Sequence, residues 1–173
     1  MTTYKEIKDN TDYTCFEIPI GTYYIGDPGY VMDGEDYDKL VEFYMDECSG
    51  IFELKGKKFL IIDNGGDGGV PIYSDHEESD EEWSSIGIDH GMFAFIPLDY
   101  LTEEMGSTQE SLLNSGVIMT FNWEGVDWGD DEPSAEDLET IDVDHWEMKM
   151  VEVDGYSFFM CPDAEETYLA IGK

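Results

Sequence analysis

Short strand-like apolar runs recur along this chain between turn signals and acidic stretches, and in one place the apolar period is near 3.6. Tyr13 to Ile25 reads as YTCFEIPI and TYYI, interrupted by Gly21 and closed by the turn Asp27-Pro28-Gly29, which predicts a hairpin or two successive strands. The period then changes. Tyr37, Leu40, Val41, Tyr44 and Met45 recur at helical spacing, predicting an amphipathic helix over about 36–48 with Asp33 or Asp36 as its cap and Ser49-Gly50 as its end. IFEL and KFLIID around Lys55-Gly56-Lys57 predict a second hairpin running into the glycine-rich turn Asn64 to Gly69, after which VPIY forms a short strand.

Beyond residue 83, SIGID and MFAFIPL flank Asp89-His90-Gly91, and the second run is apolar enough for a strand buried on both faces. STQESLL predicts a short helix with Ser107 as cap and Glu110 three residues on, and VIMTFN a further strand. HWEMKMVEV and YSFFMC, separated by Asp154-Gly155, form the clearest hairpin signal, because Asp-Gly suits a two-residue turn with positive φ. TYLAIG closes the chain as a strand. The pattern predicts a single α+β domain over residues 1–173, a mainly antiparallel sheet with one main helix and long acidic loops.

Charge changes this picture more than length does. Forty-two acids face eight bases, all Lys, giving a net charge of −34, while 41% apolar and 14% aromatic residues leave enough surface to bury for folding. A domain of this length has a diameter of about 40 Å, and duplex DNA of that length carries about 24 phosphate charges. The chain therefore matches a nucleic acid in charge. It should repel nucleic acid and anionic membranes and attract basic partners. Two segments concentrate the acids, Asp75 to Glu82 with six and Glu124 to Asp144 with ten, and Trp83, Trp123, Trp128 and Trp146 border them. Large aromatics beside acidic loops are candidate anchors on a partner.

Catalytic signatures are sparse. GxSxG, HExxH and the P-loop pattern are missing, and a chain without Arg lacks the fork that grips phosphate substrates. His76, His90 and His145 have no nucleophile pattern around them. Asp63-Asn64-Gly65-Gly66-Asp67-Gly68 resembles the start of a calcium loop, but Gly65 and Ser74 stand at positions 3 and 12 where ligands are needed, so a turn is the better reading. Cys15, Cys48 and Cys161 are odd in number and widely spaced, which predicts reduced thiols. MTTYKEIKDN does not read as a secretory leader and no apolar run reaches about 20 residues, so a cytoplasmic, soluble protein without cofactor or metal is expected.

Ile25-Gly26-Asp27-Pro28-Gly29-Tyr30, Gly66-Asp67-Gly68-Gly69-Val70-Pro71-Ile72 and Ile88-Asp89-His90-Gly91-Met92-Phe93 together resemble, over about residues 20–100, an uncharacterised family of small bacterial and tailed-phage proteins with a GDP turn, a GxYP-like segment and a [VI]DxG strand. Val70 stands in place of the family's aromatic and His90 in place of a small residue. The resemblance implies a β-rich fold and a phage or bacterial source. In composition the chain is similar to phage DNA-mimic inhibitors.

The function expected is thus an acidic inhibitor that occupies the basic nucleic-acid-binding surface of a host defence protein. Its contact row would be Glu124, Asp127, Asp130, Asp131, Glu132, Glu136, Asp137 and Glu139, with Asp75, Glu77, Glu78, Asp80, Glu81 and Glu82 second. The rival expectations are a metal-dependent or enzymatic domain built on Asp27, Asp67 and Asp89, and an acidic structural phage component.

Overall fold

The computed structural model describes residues 15–19, 21–74, 84–121, 150–153, 156–159 and 167–171. In chain order its strands are β1 (Cys15–Pro19), β2 (Gly21–Gly26), β3 (Gly50–Leu54), β4 (Lys57–Asp63), β5 (Gly68–Ser74), β6 (Ser84–Ile88), β7 (Met92–Pro97), β8 (Gly116–Phe121), β9 (Met150–Val153), β10 (Tyr156–Phe159) and β11 (Thr167–Ile171). Its α-helices are α1 (Gly34–Glu47), α2 (Leu98–Glu104) and α3 (Gln109–Leu112), and a 3₁₀ turn spans Pro28–Tyr30. The fold is α+β, mainly antiparallel sheet. Two compact units interleave along the sequence, one from 1–20, 72–83 and 121–173, the other from 21–71 and 84–120.

In the first unit, β11 lies antiparallel between β1 and β10, and β10 pairs with β9. Val153 faces Tyr156 across that last ladder, so only the two residues Asp154 and Gly155 separate the paired ends, the spacing expected of a tight hairpin. Ile72 to Ser74 of β5 pair with β9 in the same unit.

The second unit is built on a five-stranded sheet in the order β3-β4-β7-β2-β8. MFAFIP takes the central position, β7, antiparallel to β4 and β2, and Met92 to Ile96 are all buried. The alternation shows why both faces are apolar. Phe59, Ile61, Ala94, Ile96 and Tyr24 belong to the core under the helices, and their neighbours Leu60, Ile62, Phe93, Phe95 and Ile25 are equally buried on the opposite face. Aromatic rings continue the core from α1 through the sheet to α2: Phe43–Phe52, Phe52–Phe59 and Phe59–Tyr100 lie 5.4, 5.6 and 4.9 Å apart, each contact contributing about 0.5–1.5 kcal/mol beyond burial.

Helix α1 forms where predicted, shifted by one or two residues, but its inward stripe is rotated. Leu40 is fully buried, and Tyr37, Val41, Phe43 and Tyr44 pack partly against the core, whereas Met45 is 73% exposed. At about 100° per residue the stripe centres between Leu40 and Tyr44; Asp36 and Phe43 occupy its far flank and Met45 falls outside it. Asp33 stands at the N-cap without a side-chain bond, and Asp36 is buried in the core rim instead of capping. Cys48, exposed and with φ +63°, ends the helix. The second predicted hairpin is present, joined by Lys55 (φ +52°) and Gly56 (φ +75°), the paired positive φ of a type I′ turn.

β1 and β2 join different sheets, so of the two arrangements expected for Tyr13 to Ile25 the chain adopts two successive strands and not a hairpin. Two further outcomes differ from the sequence reading. α2 follows β7 immediately, burying Tyr100 and Leu101. The short helix α3 is capped by Thr108, not Ser107, through a reciprocal bond with Ser111.

Candidate functional site

The chemistry-bearing end of the second unit begins at the turn after β2. Asp27 is fully buried, and its carboxylate is met almost entirely by backbone: Oδ1 accepts from Gly29 N–H at 2.8 Å, and Oδ2 from Asp89 N–H at 2.7 Å and His90 N–H at 2.9 Å. His90 Nδ1 lies 3.0 and 3.1 Å from the two carboxylate oxygens. The carboxylate acts only as an acceptor here, so Nδ1 is the donor and Nε2 is left to face other partners. Packing enforces this pairing. A Cβ on Gly29 would come within 2.3 Å of the imidazole, so only glycine fits beneath the ring.

Aromatics surround the pair. Tyr30 and Tyr37 meet the His90 ring in perpendicular contacts at 5.9 and 6.3 Å, and the Tyr30 hydroxyl donates to Asp89 Oδ2. Burial and the nearby Asp27 charge raise the Tyr37 phenol. Two turns further along α1, Tyr44 donates to Asp63 Oδ1 at 2.8 Å and to the Gly91 carbonyl at 3.3 Å. Burial, then the Asp63 bond, push the Tyr44 phenol up to about 12. Asp63 Oδ1 also accepts from Gly65 N–H at 3.0 Å, so the calcium-like sequence is a side-chain-braced turn.

Beside this network a cleft of about 570 Å³ is lined by Tyr30, Gly87 and the Ser111 to Gly116 segment that leads from α3 into β8. Its wall is fixed by Tyr24, whose hydroxyl is 2.9 Å from Ser115 Oγ, and by Gly116, where a Cβ would lie 2.5 Å from the Ile25 carbonyl. Tyr30 (47% exposed) and Leu113 (59%) stand on this cleft, and with Met45 they are the large exposed hydrophobics among the described residues.

A second polar centre lies at the start of α1. The Asp36 carboxylate accepts from the Tyr100 hydroxyl at 2.8 Å and pairs with Lys55 Nζ at 3.1 Å, and Lys55 also reaches Glu104 at 2.8 Å. The Tyr100 bond foremost, with Lys55, holds Asp36 below the usual carboxylate range, while Glu104 and Asp36 raise the Lys55 ammonium. Lys57 pairs with Asp99 at 2.6 Å.

Of the three aspartates weighed for metal or enzymatic chemistry, Asp27 and Asp89 meet, whereas Asp67 is exposed in the glycine-rich turn and acts on Tyr44 only through its charge. Among the described residues no three His, Cys, Asp or Glu side chains gather as metal ligands. All fourteen acidic residues expected to contact a partner, in Asp75 to Glu82 and Glu124 to Glu139, lie outside the described residues, as do the four Trp, His76, His145 and Cys161. The sequence reading missed the cleft; the Leu112-Leu113 pair ending the predicted helix STQESLL was the available signal, since a short helix buries one of two adjacent apolar residues and leaves the other outside. No helix among the described residues is long and apolar enough to cross a membrane. Comparison with family models, curated proteins and solved structures gave no match.

Proposed function

We propose that this protein is an acidic, phage-type inhibitor that occupies a basic nucleic-acid-binding surface of a host defence protein, its carboxylates standing where phosphates would. The observation that carries the reading is the outer face of α1. Glu35, Asp38, Glu42 and Asp46 are all exposed and follow one another at steps of three or four residues, a single row about 16 Å long. One DNA strand places about five phosphates over that rise. Lys39 is the one base on the helix, and the neighbouring Lys55 and Lys57 are held by Asp36, Glu104 and Asp99, so little positive charge is left to quench the row.

Sequence charge extends the same pattern. Of the 42 acids, 26 belong to the first unit and 16 to the second, with four lysines in each, net −22 and −12. The first unit contains the 124–144 and 75–82 segments, which remain the preferred contacts, with the α1 row as a third. A basic cleft on the partner would supply long-range attraction and fast association.

Capture from a bacterial lysate, eluted by a salt gradient, tests the proposal. Basic nucleic-acid-binding proteins should be retained, duplex DNA should compete for them, and neutralising Glu124 to Glu139 to Asn and Gln should weaken capture without unfolding. Retention of no such protein would end the mimicry reading. A second reading rests on the Asp27–His90 pair, since a buried carboxylate that orients an imidazole is the arrangement of a general base. It requires turnover that His90→Gln abolishes while the melting temperature stays unchanged.

A further inference from the structure

We propose that the cleft between Tyr30 and Leu113 receives an arginine side chain from the basic partner; the inference rests on the reading above, and it locates one specific contact within it. Four features converge. The cleft presents two exposed large side chains on its rim, Tyr30 and Leu113, two of the three exposed large hydrophobics among the described residues, in a chain of 42 acids and eight bases. Such aromatic and aliphatic rims mark protein contacts, and Tyr and Arg are enriched where binding energy concentrates.

Its lining between them is polar and uncharged: Asn114 supplies an amide acceptor for a planar donor, and the Ser111 and Ser115 hydroxyls, already bonded to Thr108 and Tyr24, complete a polar wall. Asp89, tied to the Tyr30 hydroxyl, supplies a carboxylate at the Tyr30 end of the cleft. Gly87 keeps the intervening wall low, since a Cβ there would meet nothing within 4 Å. An arginine could lay its stem along Leu113, stack its guanidinium on the Tyr30 ring and turn its N–H groups towards Asp89 and Asn114. Lysine is the poorer fit, being a point charge without a stacking plane. Electrostatics favours this occupant over an anionic or neutral one, because the whole chain carries −34.

The test is a nuclear magnetic resonance titration of the full chain with acetyl-Gly-Arg-Gly-amide, and with its lysine and norleucine analogues, at fixed ionic strength. The arginine peptide should move the amide signals of Gly87, Asn114 and Gly116, bind about tenfold more tightly than the lysine peptide, and move nothing when norleucine replaces it. Tyr30→Leu and, separately, Leu113→Ser should each weaken the arginine peptide about tenfold while the melting temperature holds, and Glu103→Gln, on the exposed side of α2, should change it less than twofold. Equal binding of arginine and lysine, or full binding by the folded Tyr30→Leu variant, would overturn the inference. Arginine binding at the cleft with no basic protein captured from lysate would support the cleft and sink the mimicry reading. Capture that survives both cleft substitutions, with no peptide shift, would do the reverse.

Discussion

Two buried carboxylates in the second unit are held in opposite ways. Asp27, between the turn after β2 and the turn before β7, is met by three backbone N–H groups and one imidazole; Asp36, at the start of α1, is met by a phenol and an ammonium. The difference matters in a chain with eight bases and 42 acids, where cationic partners are scarce. Burying an acid at one end uses donors that every residue carries; burying one at the other commits a lysine. Three of the four groups on Asp27 are backbone donors that do not titrate, whereas Asp36 rests wholly on side chains, a phenol and an ammonium, so the two centres should respond differently to alkaline pH and to substitution.

The largest expected effect is alkaline. Burial, aided by carboxylate neighbours, raises the phenols of Tyr23 and Tyr100, while burial pushes the Tyr24 phenol up to about 12, as it does for Tyr44. An unfolded tyrosine loses its proton near pH 10, below these folded values. Stability from this source is therefore complete below pH 10 and declines as pH rises towards 12, because the unfolded chain then binds fewer protons than the folded one. Urea midpoints between pH 8 and 12 should fall in that window, and hydrogen exchange should show the Asp36–Tyr100 end opening before the Asp27 turn. Simultaneous opening would erase the distinction between the two centres.

Asp27→Ala comes next. It leaves three backbone donors and the imidazole without their acceptor, and a loss of about 3 kcal/mol in urea unfolding is expected. Asp36→Asn keeps an acceptor for Tyr100 and removes the charge facing Lys55, so the loss should be nearer 1 kcal/mol. Its pH dependence separates the two further. Because Asp36 is held below its ordinary range, its contribution is present above the unfolded value near 4 and vanishes as pH falls through the lower folded one. The wild-type and Asp36→Asn stabilities should therefore converge in acid. A gap that stayed constant from pH 7 to pH 2 would assign Asp36 a purely steric role.

What the sequence revealed divides along the same line. Local signals were readable: the apolar run of β7, the Lys-Gly turn between β3 and β4, and the span of α1 all follow from neighbours in the chain. Asp27 and His90 were visible as turn residues, yet their meeting depends on the pairing of β2 with β7, 63 positions apart in sequence at the contact. Met45 was misplaced because periodicity counts apolar residues alone, and the stripe also includes Asp36, whose inward position is permitted by Tyr100 and Lys55 from distant segments. α2 escaped because Leu98 and Leu101 give too few repeats to show a helical period, and the cleft because its two rims are 83 residues apart.

Lys55 holds a left-handed backbone where Asn or Gly would sit with less strain, and it does so while bonding Asp36 and Glu104. Inheritance at these three positions should therefore be linked. Drift of position 55 to Asn relaxes the hairpin but strands an acid in the rim of the core, so lineages that make the first change should also neutralise position 36. Pairs of homologues differing at 55 alone ought to be rare, and those that exist should fold less readily than either parent combination.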